Sequence, residues 1–162
     1  MFLTLLEVFD ILVTIALMGF LFMDAFNAPR NEKSDELSRY LKKTSRFNWH
    51  DFLYASMVTA PAIVLHELGH KITALSFGYQ ATFHAFYANQ TTLILGVAAI
   101  VMKFLKFGFI FLVPGFVSIT GIGGPLQSSL ISFAGPGVNL LLYLLALIIL
   151  RTQKLKPKAI SF

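Results

Sequence analysis

Long apolar runs alternate with short polar segments along the chain, and the pattern predicts helices that cross a membrane. Residues Phe2 to Phe22 are apolar apart from Glu7, Asp10 and two threonines, and about 20 such residues cover the hydrocarbon core of a bilayer. A cleaved signal peptide is the competing reading, but the run is long and no basic segment precedes it, so it is expected to stay. Asp24 to Trp49 is a polar connection in which Ser34-Asp35-Glu36 can cap a short interfacial helix with Leu37, Tyr40, Leu41 and Phe47 near one face. Its Lys42, Lys43 and Arg46 read as a solvated face. Asp51 to Phe77 forms a second apolar helix, interrupted by Pro61. After Gly78, residues Gln80 to Tyr87 alternate loosely between Ala81, Phe83, Ala85 and Tyr87 on one side and Thr82, His84 and Phe86 on the other, which predicts a short strand or hairpin. Thr91 to Ile119 is apolar again but carries Lys103, Lys106, Gly108, Pro114 and Gly115, and charges at mid-membrane are costly, so a broken or re-entrant helix is expected. The Gly-rich GIGGPLQSS then leads to a last apolar helix from about Leu130 to Leu150 and a basic tail with Arg151, Lys154, Lys156 and Lys158.

The expected fold is therefore an all-α polytopic membrane protein of about four apolar segments with a small β-hairpin element. Residues 1–50 form a first transmembrane helix with its polar connection, and residues 51–162 form the membrane core. Composition agrees: 56% of the 162 residues are hydrophobic, 13% are charged and seventeen are Phe, too little polar surface to cover a water-soluble globule. The net charge of +5 could point to nucleic acid, but the basic residues flank apolar segments, which makes anionic lipid headgroups the better counter-charge. With no Cys, disulfides and thiolate metal sites are excluded. Four spans would put the basic residues of the Asp24 to Trp49 connection and those of the tail on opposite faces, so the positive-inside signal contradicts itself.

The candidate chemistry lies in the second apolar helix, where His66-Glu67-Leu68-Gly69-His70 spells HExxH. On a helix the i, i+4 spacing puts both imidazoles on one face, within reach of one Zn2+, with Glu67 beside them. In zinc hydrolysis the metal lowers the pKa of bound water toward ~7, and a carboxylate moves its proton to the leaving amine. His66 and His70 are thus candidate metal ligands and Glu67 the candidate catalytic base. Two histidines and a glutamate packed as a satisfied polar cluster between helices are the bland alternative, against which stands the rule that ionisable groups within membrane helices usually serve function. Gly69 and Gly78 are assigned to close packing and to a turn.

The apolar flanks VTAPAIVL and ITALSFGY separate this motif from soluble zincins. Taken in order, HELGHK, FGYQATFHAF, VPGFVSI and AGPGVN resemble the site-2 protease family of intramembrane zinc metallopeptidases, in particular its short archaeal and bacterial members, over about Val58 to Leu142. The resemblance implies a multi-pass membrane protease of a prokaryotic cell membrane that cuts transmembrane or membrane-proximal protein substrates. It also implies that His66 and His70 hold zinc, that Glu67 is the base, that the stretch Ala81 to Tyr87 guides an unwound substrate by edge pairing, and that Asn139 holds substrate backbone. A helix-helix hydrogen bond is the competing reading of Asn139.

The chain departs from the family at the third ligand. The family uses an aspartate in an LDG or NPDG motif on a later helix, whereas here no Asp follows Asp51 and no Glu follows Glu67. Three explanations are open: a chain incomplete at its C-terminus; a substitute third ligand, with His84 the leading candidate and Asp10 a weaker one; or a catalytically inactive relative that acts as a membrane scaffold or regulator. Zinc transport is a further reading, but it would call for ligands on several helices and repeated halves.

Overall fold

A computed structural model describes residues 3–26, 47–106, 113–121 and 123–154. Helix α1 (Leu5–Phe22) opens on a capping box, with Thr4 Oγ1 accepting from Glu7 N at 3.3 Å and Glu7 Oε2 accepting from Thr4 N at 2.8 Å. This arrangement satisfies two donors that a helix start would otherwise leave over. Helix α2 (Trp49–Ser76) starts from Asn48, whose side chain accepts from His50 N at 3.0 Å. It ends where Gly78 turns to φ +81 and Tyr79 N bonds back to Ala74 O at 3.1 Å, a left-handed stop that glycine adopts without a Cβ penalty. Strand β1 (Gln80–Ala85), a single 3-10 turn (Phe86–Ala88), α3 (Gln90–Phe104), β2 (Gly115–Thr120) and α4 (Pro125–Lys154) follow.

The described residues are mostly helical, with four helices and one two-stranded antiparallel sheet. Three of the helices, α1, α2 and α4, are long and apolar enough to cross a membrane. α3, at 15 residues, extends about 22 Å, short of a ~30 Å hydrocarbon core. The segment expected as one broken helix is thus a short helix followed by a strand. Lys106 leaves α3 with φ 55, and Pro114 precedes β2, where proline disfavours helix in the residue before it. The sheet is not a hairpin: β1 and β2 pair across α3, in the register Gln80↔Thr120 to Ala85↔Gly115. Pro125 takes the opening position of α4, and Pro136 lies inside it. The interfacial helix expected within Asp24 to Trp49 lies largely outside the described residues.

Contacts fix how the helices run. Glu7 meets Lys71, and Gly19 lies against Phe52 and Ser56, so α1 and α2 are antiparallel. His70 meets Ile131, and Gly69 lies against Ala134 and Val138, so α2 and α4 are antiparallel too. Lys103 Nζ, in the last turn of α3, donates to Leu21 O at 3.2 Å and pairs with Asp24. One end of the molecule therefore holds the start of α1, the end of α2, the sheet and the start of α4; we call it the sheet end. The opposite end holds the close of α1, α3 and α4 and the start of α2. The sheet is seated on α2 and α4 by a cluster of Ala74, Ala81 and Ile131, with Leu75, Tyr79, Val117 and Ile119 packed around it.

Candidate active site

α2 delivers His66, Glu67 and His70 as three half-buried side chains on its inward side. Their placement depends on how closely α4 approaches. A Cβ on Gly69 would lie 2.9 Å from Val138 Cγ2 and 3.0 Å from the Ala134 carbonyl oxygen, so only glycine permits this contact. Across the same seam, a Cβ on Gly135 would lie 2.7 Å from His66 Nε2 and would collide with His70 Nε2. The AGPG segment of α4 is therefore the wall against which the two imidazoles stand.

The rings meet edge to face, with centroids 4.9 Å apart and the two Nε2 atoms 3.2 Å apart. Two nitrogens on one tetrahedral zinc, each at ~2.05 Å, lie roughly 3.3 Å apart. The outer nitrogens are engaged. His70 Nδ1–H donates to Ile131 O at 2.6 Å, which leaves the Nε2 lone pair facing His66. Asn139 Nδ2 lies 3.1 Å from His66 Nδ1. If Nδ2 donates, the His66 proton sits on Nε2 and points at His70. Turning the amide over makes Oδ1 the acceptor of an Nδ1–H and aims both Nε2 lone pairs at one point, and the two amide orientations are isosteric. Backbone and amide partners on the far side of ligating imidazoles are the usual way of orienting them toward a metal. The pair therefore fits a cation, and Asn139 makes an interhelical bond to it.

Among the described residues no third ligand joins them. His84 lies on β1, where its ring packs on Phe116 at 5.5 Å and its Nδ1 stands 3.9 Å from Asp10 Oδ2. Asp10 in turn accepts from the Tyr87 hydroxyl. Among the described residues no three His, Cys, Asp or Glu side chains come together to hold an ion. The Asp10 carboxylate, by accepting the hydroxyl proton, raises the Tyr87 phenol above its ordinary value of 10.0.

Glu67 and His70 border a cavity of about 440 Å³ between α2, β2 and α4, lined also by Gly115, Val117, Ile119 and Ser132. Backbone geometry explains why the strand contributes as an edge. Phe83 N–H points away from β2, because it donates to Glu7 Oε1 at 2.8 Å. Phe83↔Val117 is therefore a pair that exchanges no hydrogen bonds, and by the alternation of antiparallel ladders so are Ala81↔Ile119 and Ala85↔Gly115. Gly115, Val117 and Ile119 thus turn their backbone N–H and C=O groups toward the outer edge of β2, and these same residues line the cavity. The edge expected to receive a substrate, that of β1, is instead occupied by α1. The cavity's opposite wall includes Ser132, whose carbonyl has no intrahelical donor because the residue four positions on is Pro136.

Gly135, Lys71 and the backbone of β2 carry no motif that marks them in the sequence. Gly135 was visible only as one of several small residues, and the orientation of a strand edge has no side-chain signature. Comparison with family models, with curated proteins and with solved structures returned no match.

Proposed function

We propose that the chain is an integral-membrane zinc endopeptidase that cuts a peptide segment laid in extended form along the outer edge of β2. The observation that carries this reading is that the Glu67–His70 side of an HExxH helix and an unpaired strand edge share one cavity. α1, α2 and α4 have the length and composition to span a bilayer, and α4 leaves Leu140, Leu141, Leu144, Leu145, Ile148 and Ile149 exposed along its second half, a surface suited to lipid.

His66 and His70 would hold the metal, which when bound supplies Lewis acidity and lowers the pKa of a water toward ~7. The chain's own groups do the rest. Ile131 O and Asn139 fix the two imidazole planes. The edge groups of Gly115, Val117 and Ile119 pair with the substrate backbone, as in β-strand addition, which needs the substrate unwound and so exposes its peptide bonds. Glu67, on the cavity wall, takes the proton from the attacking water and delivers it to the departing nitrogen.

A second reading, a membrane scaffold that binds segments without cutting them, is favoured by one observation: a catalytic zinc normally has three protein ligands, and the described residues offer two. One experiment separates them. The purified chain in detergent is expected to hold about one zinc per chain, to lose it in His66→Ala, and to cut an apolar helical peptide; Glu67→Gln is expected to keep the zinc and lose the cleavage. Zinc-free parent protein that still binds the peptide would establish the scaffold.

A further inference from the structure

We infer that Glu7 is a positioning residue for the substrate-pairing edge, an assignment that rests on the peptidase reading and extends it to α1. Glu7 is 1% exposed, although it lies within an apolar helix. Its Oε2 accepts from Thr4 N at 2.8 Å and from Thr4 Oγ1 at 3.1 Å, while its Oε1 accepts from Phe83 N at 2.8 Å and from Lys71 Nζ. Lys71, 2% exposed, directly follows His70 on α2. One carboxylate thus joins three elements: the start of α1, the turn of α2 that carries the zinc-pair histidines, and the outer edge of β1.

Two consequences follow from the geometry. First, Glu7 caps Phe83 N, the middle one of the three outward backbone donors of β1, so a peptide pairing along β1 would have to displace the carboxylate, whereas the edge of β2 lies open beside Glu67. Second, β1 is tied through Glu7 to the residue next to His70, and β2 is tied to β1 by the ladder, so the carboxylate sets how far the β2 edge stands from the reacting groups. Thr14 supports the same alignment two turns further on, with its Oγ1 donating to Pro114 O at 3.2 Å just ahead of β2. Lys71 orients the carboxylate and balances its charge; the acceptor that Phe83 N needs is the oxygen of Glu7.

The role of the acceptor is separated from that of the charge by two double variants. Glu7→Gln with Lys71→Met removes both charges and keeps a side-chain oxygen for Phe83 N. Glu7→Leu with Lys71→Met removes both charges and the oxygen. Each is made in the Glu67→Gln background, and the affinity of a fluorescent apolar peptide of about 20 residues is measured in detergent beside zinc content and amide exchange. Tenfold or weaker peptide binding by the Leu form relative to the Gln form, with equal zinc per chain and faster exchange at Phe83, is the expected result. Equal affinities in the two forms overturn the positioning role and leave the peptidase reading standing. Zinc-free parent protein that binds the peptide overturns the peptidase reading, while the Gln-to-Leu comparison still decides the role of Glu7. No saturable peptide binding by the parent overturns both.

Discussion

At the scale of single residues, the site depends on a hydrogen atom at position 135. Any larger side chain would enter the space between the two Nε2 atoms, so Gly135→Ala is expected to weaken zinc binding at least tenfold, in the range found for disturbed ligand orientation. Overpacking of the α2–α4 seam should add about 1–3 kcal/mol of destabilisation, and metal titration alongside thermal melting would measure the two effects. Asn139→Leu tests the other side of the pair: loss of the amide that orients His66 should lower zinc affinity with little change in peptide binding. Tyr87 offers a check that is independent of the metal. Because its phenol is raised by the bond to Asp10, the contribution of that bond to stability is fully present below pH 10 and is lost as pH climbs through the raised value. The phenolate absorbance difference between the parent and Tyr87→Phe should therefore appear above pH 10, and Asp10→Asn should bring it down. Of the site itself, HExxH was legible from residue types and spacing because helical periodicity alone places His66, Glu67 and His70. The partners of His84 and Asp10 were not legible, because Asp10 lies more than seventy residues from His84 and Tyr87 in sequence, and the ring of Phe116 reaches His84 only through the pairing of β1 with β2.

At the scale of elements, the open sheet edge lies at β2, where it was expected at β1. The reason is physical: both strands have alternating side chains, and only the direction of their backbone groups tells which edge is free. Phe83 N, in the middle of the β1 edge, is bonded to Glu7 of α1, whereas Gly115, Val117 and Ile119 turn their backbone groups to the other edge, beside the cavity. Val117→Pro removes an outward N–H while leaving the bonds to β1 in place, a substitution that edge strands tolerate. It is expected to reduce peptide cleavage at least tenfold with zinc retained; unchanged cleavage would rule out pairing along this edge. The helices were well read from apolar periodicity, since α1 and α2 begin and end within three residues of the expected limits. α4 was expected to begin near Leu130 and starts five residues earlier, at Pro125, because Gln127, Ser128 and Ser129 look like loop residues yet form its first turns. There Tyr79 donates its hydroxyl proton to Gln127 and accepts from Gly123 N at 3.3 Å, a tertiary anchor invisible to local patterning.

At the scale of the whole molecule, three helices among the described residues are long and apolar enough to span a membrane, and three spans in place of four would remove the conflict in the charge pattern. The close of α1 and the start of α2 lie at the end opposite the sheet, with Lys103 and the close of α4. Among the described residues, Lys103, Lys106 and Arg151 lie toward that end, and Lys71, buried against Glu7, belongs to the sheet end. If α1, α2 and α4 span a membrane, the positive-inside rule predicts the opposite end in the cytoplasm and the sheet on the other side. A fluorescent reporter fused after residue 162 in a bacterial inner membrane should glow, and a phosphatase that works only after export should stay inactive at that position; the reverse pattern would refute the orientation. The polar face of α1 also bears on how the protein is handled at the bench. By its hydropathy α1 looks like a leader that could be trimmed from an expression clone, but trimming it would strip Lys71 of its carboxylate and Phe83 N of its acceptor in one cut. Breaking a buried pair from one side costs about 3–5 kcal/mol, so a shortened clone that expresses poorly or lacks activity would report the missing helix and would say nothing about the histidines.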